Sequence, residues 1–445
     1  MTEDRVAGVI DGTARCPVAT GPERNRRLPG GPVAQRLWKA RSVTDVAGAV
    51  SPVLGGLVRE LDRAAPTDLV EVCRTWVVEN LGVQECALLL ADYSETTLEP
   101  VPGAESSVEL PRLDVDKSAA GAAYRQQRAV HVDVPTSGDA PSESAVTYLP
   151  VSMRTERLGV LAVIQRTTNQ LDRLDILNDV AQILAYVLTG ARRYTDQFET
   201  LRRRRDLGLA AEIQWELLPV LAYELPRFSI AGALEPAYDI GGDIFDYAVS
   251  AQLLTVSITD AVGHGLRAAM LSSLTVSAMR NARRGGSAIL DQTRTANRHL
   301  IEQFGHAEFV TGLILQLEVA TGHGFVINAG HPPPLLLRDG AVSIVNLAPD
   351  TPMGLSPETE YRLQAITLLP GDRLLLLTDG VDEAHDVGGP EFGLDRVADM
   401  LRSHADLPPV EFVRRLTRAV TDYRSGPLSD DATAVCLDWY PINTT

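Results

Sequence analysis

The sequence predicts an α+β chain in which a compact N-terminal α/β domain is joined by a helical segment to a strand-rich C-terminal domain. Three observations predict it. Helix-period and strand-period runs alternate from about residue 66 to 190. An apolar seam then recurs at helical spacing through Val187, Ala191, Tyr194, Phe198 and Leu201. From residue 227 onward, short apolar strands repeatedly meet an aspartate at one end. A length of 445 residues suits two or three domains of about 150 residues each.

Taken in order, residues 1–36 are rich in Gly, Pro and Arg without sustained periodicity and are expected to be a disordered tail. A helical pattern begins near Leu37, and the N-terminal domain is assigned to 37–190. Within it DLVEVCRTWVVENLG (68–82) places Leu69, Val72, Trp76 and Val77 at helical spacing. CALLLADY (86–93) and GVLAVIQR (159–166) predict buried strands, and AVHVDVP (129–135) alternates as a half-buried one. SGDAPSES (137–144) is a polar connection, and LDILNDVAQILAYVL (174–188) is helical. Residues 191–219 are expected to continue that helix as a coiled-coil linker through RRRR (202–205) and LGLAAEIQWELLP (207–219), ending at Pro219. In its last part Leu209, Ile213 and Leu217 form the expected packing face. The C-terminal domain is assigned to 220–441.

Composition narrows the function. Hydrophobic residues make up 45% and charged ones 22%, as in globular proteins. A formal net charge of −17 argues against nucleic acid as a partner. Cys16, Cys73, Cys86 and Cys436 show no C-x-x-C spacing, so neither a disulfide framework nor a zinc site is expected. No apolar run approaches 18 residues and the first residues lack a signal-peptide core, so the expectation is a cytoplasmic protein without a membrane partner.

The chemistry lies in the acids. DIGGDIFDY (239–247) holds Asp239, Asp243 and Asp246 within nine residues. In LLTVSITDAVGHG (253–265), Leu254, Val256, Ile258 and Asp260 share one face of a strand. RLLLLTDG (373–380) aligns Leu375, Leu377 and Asp379, and Asp430–Asp431 immediately precede the strand TAVCLDW (433–439). The pair Gly241–Gly242 is expected to form a hairpin turn beside the same sheet. One aspartate at a strand end is usually a turn residue. Four gathered together would repel one another, and a hard divalent cation such as Mg²⁺ or Mn²⁺ would relieve the repulsion through oxygen ligands.

These residues carry a resemblance. GGDIFDY (241–247), TDAVGHG (259–265), FVTGLI (309–314), NAGHPPP (328–334), PGDRLLLLTDG (370–380) and SDDATAV (429–435), preceded by AEIQWELLP (211–219), resemble the SpoIIE/RsbU branch of the PPM-type serine/threonine phosphatases. The resemblance implies an αββα sandwich holding two Mn²⁺ or Mg²⁺ ions, which activate a water against a phosphoserine or phosphothreonine. It implies that Asp260 bridges the ions, that the Ala261 carbonyl ligates one of them, and that Asp379 and Asp430 complete the shell. Asp243 would bind directly or through water, Asp431 is a candidate orienting acid, and His264 would either protonate the leaving serine oxygen or merely cap the helix that follows it. His331 is read as structural. It further implies a phosphorylated anti-sigma-factor antagonist as substrate.

The N-terminal order of helix, strands, variable loop, closing strands and final helix, with YLPVSMRTERLGVLAVI (148–164), resembles a GAF domain. That implies a sensor with a small-molecule ligand, with His131 and Cys86 as candidate contacts, regulating a homodimer through the linker. Two alternatives stand beside this reading. One is an inactive scaffold binding a partner through the phosphatase fold. The other is a nucleotide cyclase suggested by GGDIF, whose signature wants an acid where Ile244 stands.

Overall fold

The computed structural model describes residues 52–103, 110–133, 144–166, 173–204, 206–235, 241–385, 389–423 and 431–441. The expected tail 1–36, the start of the leading helix near Leu37 and most of the polar stretch 137–144 lie outside them. The chain divides into two compact units, Met1–Arg204 and Arg205–Thr445.

The first unit contains helices α1 (Pro52–Arg63), α2 (Leu69–Leu81), α3 (Ala119–Gln126), α4 (Leu174–Ala191) and α5 (Gln197–Arg202). Its strands are β1 (Glu85–Ala91), β2 (Thr97–Pro100), β3 (Leu113–Asp114), β4 (Val130–Asp133), β5 (Ser144–Met153) and β6 (Glu156–Arg166). They form one antiparallel sheet of order β3–β2–β1–β6–β5–β4. Both faces are covered, which is why CALLLADY is a continuous apolar run rather than an alternating one. Leu88 and Leu90 point into a core with α1, α2 and α4. Leu89 and Ala91 point into a second core with Ala120, Ala123 and Tyr124 of α3.

The expected linker helix is not continuous. α4 stops at Ala191, the chain turns through 192–194, and the short α5 follows. The reason is a competing set of contacts within this unit. Phe198 is 3% exposed in the α1–α2–α4 core. Arg202 Nε donates to the Ala91 carbonyl at 2.9 Å, its guanidinium lies 4.8 Å from the centre of the Tyr93 ring, and Arg192 Nε pairs with Glu199 at 2.8 Å. Tyr194, a seam position, is left exposed. α4 also differs from the expectation about apolar length, being long and apolar enough to cross a membrane. Here eight of its side chains, among them Leu177, Val180 and Leu184, are buried in the core.

The second unit opens with α6 (Leu209–Leu217), β7 (Ala222–Leu225), β8 (Phe228–Glu235), β9 (Ile244–Val249) and β10 (Leu253–Ala261). Helices α7 (Leu266–Arg284) and α8 (Ile289–Phe304) come next, then β11 (Val310–Glu318), β12 (His323–Ala329), β13 (Leu335–Arg338), β14 (Ala341–Ile344), β15 (Gln364–Thr367) and β16 (Arg373–Leu377). The turn-long α9 (Asp379–Asp382), α10 (Leu394–Ser403), α11 (Pro409–Asp422) and β17 (Ala432–Trp439) complete it. Two antiparallel sheets result, β15–β12–β11–β10–β9 and β14–β13–β16–β17–β8–β7. Their facing sides share a core that includes Phe228, Phe245, Leu254, Val256, Ile258, Val435 and Trp439. α7 and α8 cover the outer face of the five-stranded sheet, while α10 and α11 cover that of the six-stranded sheet. The layers are therefore helix, sheet, sheet, helix.

The Gly241–Gly242 pair is not the expected hairpin turn, because β8 and β9, on either side of it, belong to different sheets. The chain crosses between sheets here, and small residues let it pass. A Cβ on Gly241 would stand 3.0 Å from Ala210 Cβ, and one on Gly242 would stand 3.3 Å from the Ala261 carbonyl oxygen.

If Phe198 is a core residue rather than a seam residue, Phe198→Ala should destabilise the first unit by about 3–5 kcal/mol. Urea unfolding followed by near-ultraviolet dichroism measures it, and a change below about 1 kcal/mol would return Phe198 to the surface.

Candidate functional site

The register of the two sheets brings the acids to one end of the sandwich. Asp260 is the penultimate residue of β10, and the β9–β10 pairing of Ile244 with Thr259 sets Asp243 beside that end. β16 and β17 pair antiparallel, Leu377 opposite Ala434, so the chain leaving β16 toward Asp379 meets the chain entering β17 from Asp431. Gly380 permits this meeting. A Cβ there would stand 1.9 Å from the Asp431 carbonyl oxygen, so the residue after Asp379 can carry no side chain.

Asp243 joins the sheets. Its carboxylate is 1% exposed and accepts the Thr378 hydroxyl proton at 2.6 Å. Thr378 Oγ1 in turn accepts the Thr433 amide at 2.9 Å, which leaves its single proton for Asp243. Asp431, also 1% exposed, accepts from the Gly242 amide at 2.8 Å, the Asp243 amide at 3.2 Å and Gln214 Nε2 at 3.2 Å through one oxygen, Oδ2. The Gly242 carbonyl accepts from Ser272 Oγ on α7 and from the Ala261 amide at 3.3 Å. Burial holds the Asp243 carboxyl well above its ordinary range, and the charges of Asp260 and Asp431 push it further the same way.

Asp260 is half-buried and opposite Thr311 in the β10–β11 ladder. The Ala261 carbonyl lies against Gly242 at the same end. Asp379 begins α9 and is half-buried; His264, between β10 and α7, is exposed. Asp382, in the same turn as Asp379, is pushed up to about 6 by burial and then by Glu383, Asp379 and Glu391. Asp430 and Asp239 lie outside the described residues.

Among the described residues no three His, Cys, Asp or Glu side chains converge into a metal-holding group. The donors fit a hard divalent cation in type, being carboxylate oxygens of Asp243 and Asp431 with Asp260 near enough to oppose the charge of Asp243.

Two expectations about the opening stretch and the helix before it are corrected. Asp246 does not share this site. It is 3% exposed, with Oδ1 accepting from Arg280 at 2.8 Å and Oδ2 from Arg283 at 2.9 Å, so arginines answer its charge. On α6 the buried residues are Ala210, Ala211 and Gln214, while Leu209 is 64% exposed. Small side chains win this face because α6 lies close to Gly241 and α7. Sequence reasoning missed Gln214, whose amide donates to the Asp243 carbonyl and to Asp431. The available signal was a lone amide on a face otherwise made of alanines. It also missed Thr378, the residue before Asp379.

His331 is buried, and its Nε2 lies 3.0 Å from the Leu377 carbonyl, so Nε2 carries the proton. Nδ1 then accepts from Thr311 Oγ1 at 2.8 Å. Burial lowers its pKa to about 4. In the first unit, the Cys86 thiol is pushed well above its ordinary value by burial, His131 Nδ1 meets Thr147 Oγ1 at 2.8 Å, and the cavity beside Cys86 holds about 10 Å³.

Residues 250–440 match the family model described as Stage II sporulation protein E (SpoIIE). The matched stretch is less than half of the chain. The chain is 25% identical over 252 residues to the phosphoserine phosphatase RsbP of Bacillus subtilis, a match covering 54% of this chain and 59% of that protein. It is 22% identical over 262 residues to the phosphoserine phosphatase RsbU of the same organism, covering 57% and 77%. The solved RsbU and RsbW domains of Rv1364c from Mycobacterium tuberculosis align at a TM-score of 0.42 and 26% identity, over 49% of this chain and 62% of that one.

Two outcomes test this geometry. Thr378→Val leaves a buried Asp243 oxygen and the Thr433 amide without the hydroxyl between them, and should lower unfolding free energy by about 1–3 kcal/mol in urea titrations. No loss would show that another group replaces the hydroxyl. For His331, the unfolded imidazole gains a proton below about 6.5 while the folded one stays neutral to about 4. Its contribution is therefore present above pH 6.5 and falls away toward pH 4, by about 3 kcal/mol in total. Wild type should lose more stability over that window than His331→Asn, and equal slopes would contradict the assignment.

Proposed function

We propose that the C-terminal unit is a SpoIIE-family domain and a Mn²⁺- or Mg²⁺-dependent protein serine/threonine phosphatase. The observation that carries this reading is the buried Asp243 carboxylate, crowded by Asp260 and Asp431 at the end of the sandwich where Asp379 also stands. The two phosphoserine phosphatases among the relatives support the reaction class. Asp243, Asp260, the Ala261 carbonyl, Asp379 and Asp430 would hold the ions. When bound, a divalent pair supplies Lewis acidity, lowering the pKa of a water and neutralising phosphoryl oxygens.

The protein's own residues do the rest. Thr378 and the Gly242–Asp243 amides fix the acids, so little reorganisation is left for the reaction. Water attacks phosphorus, the bond to the serine oxygen breaks, and His264 on the exposed rim gives that oxygen its proton. The substrate class we assign is a phosphoserine of an anti-sigma-factor antagonist.

We further propose that the first unit is a GAF-like sensor within a homodimer; its six-stranded antiparallel sheet with helices on both faces supports the GAF-like part of this reading. α6 is the natural transmitter, because Gln214 reaches both Asp243 and Asp431. A shift of about 1 Å at such a point costs about a hundredfold in rate.

The full chain should hydrolyse p-nitrophenyl phosphate and a phosphoserine protein with Mn²⁺, and lose this after chelation. Asp260→Asn and Asp379→Asn should each reduce turnover by at least about a hundredfold while the fold persists. Near wild-type rates in either folded variant would sink the site, and a metal-independent rate would sink the mechanism.

A further inference from the structure

The third aspartate of the opening stretch belongs to a second attachment of α6. One nitrogen of Arg280 on α7, Nη2, donates both to the Leu217 carbonyl in the last turn of α6 at 2.6 Å and to Asp246 Oδ1 on β9 at 2.8 Å. Arg283, one turn further along α7, donates to the other Asp246 oxygen at 2.9 Å, so both oxygens have a cationic partner and their orientation is set. The pairs are largely enclosed: the Asp246 side chain is 4% exposed and those of Arg280 and Arg283 are each 19% exposed.

The spacing gives this cluster its consequence. Gln214 and Leu217 are three residues apart on α6, as Asp243 and Asp246 are in the strand segment. α6 thus meets the same stretch at two points, Gln214 on the Asp243 carbonyl and Leu217 through Arg280 on Asp246. Three residues advance about 4.5 Å along a helix but about 10 Å along a strand. The two elements cannot match by direct contact at both points, and a long guanidinium from a third element closes the difference. Beside the packing of Ala210 and Ala211, the Gln214 contact ties α6 to the strand segment at one point and the Arg280 bridge ties it at a second, nearer its C-terminal end.

We infer that Arg280 is a positioning residue for the carboxylate site: it anchors the far end of α6 to β9 so that the Gln214 amide stays on Asp243 and Asp431. Arg280 touches none of Asp243, Asp260, Asp379 or Asp431 in the contacts above and acts through α6. The consequence for activity rests on the phosphatase reading, whereas the anchoring itself does not.

Hydrogen exchange of the α6 amides, read on the full chain, tests the anchoring without any catalysis. Arg280→Met should speed exchange in 212–218 by at least about tenfold, since two charge-assisted hydrogen bonds are lost. Arg280→Lys, which keeps one charged donor, should restore most of the protection. Asp246→Asn removes the opposite charge without removing volume and should move exchange in the same direction, which keeps the test open if Arg280→Met does not fold. In hydrolysis of p-nitrophenyl phosphate, Arg280→Met should raise the Mn²⁺ concentration for half-maximal rate about fivefold or more, and this rise should vanish in a Gln214→Ala background because the residue acts through Gln214.

Unchanged α6 exchange in folded Arg280→Met and Asp246→Asn would overturn the inference. So would a Mn²⁺ effect that is undiminished without Gln214. If the unmodified chain hydrolyses nothing with Mn²⁺, the phosphatase reading fails and the exchange measurement alone decides the role of Arg280.

Discussion

The C-terminal unit depends on one unfavourable arrangement, the carboxylate of Asp243 buried between two sheets with Asp260 and Asp431 close enough to oppose its charge. A buried carboxylate costs several kcal/mol unless it is neutralised or hydrogen-bonded. The fold supplies part of the compensation through the Thr378 hydroxyl, which ties Asp243 to the opposite sheet. Asp431 is compensated differently, by two backbone amides and the Gln214 amide converging on one oxygen. A hard cation would add to this compensation. Stability given up at such a place commonly accompanies function.

The same constraint explains the small residues around the site. Gly241, Gly242 and Gly380 stand where two backbones, or a backbone and α6, approach within the space a Cβ would need. Ala210 and Ala211 continue that logic on α6. Close approach lets Gln214 of α6, Asp243 before β9, Thr378 after β16 and Asp431 before β17 meet, although Gln214 and Asp431 lie more than 200 positions apart along the chain.

Much of this was legible before any coordinates. Continuous apolar runs located β1 and β6, and the period-two positions Leu254, Val256 and Ile258 located β10 and predicted that Asp260 stands at a rim. Pairing between distant segments was not legible. The Gly–Gly pair was taken for a hairpin because local turn chemistry cannot say whether flanking strands share a sheet. Asp246 was grouped with Asp243 by proximity in sequence, yet alternation along β9 turns it toward Arg280 and Arg283. The seam from Val187 to Leu201 has the right spacing for one helix, but Phe198 gains more by entering the core and Arg202 by meeting the Ala91 carbonyl. Gln214 escaped notice because a single amide in an amphipathic helix has no periodic signature.

The central claim is that these acids are arranged for a cation, and calorimetric titration of Mn²⁺ into the full chain tests it most directly. The account predicts saturable binding that Asp243→Asn weakens strongly while thermal unfolding remains cooperative. Absence of Mn²⁺ binding by the folded wild-type chain, or binding equally tight in Asp243→Asn, would contradict it.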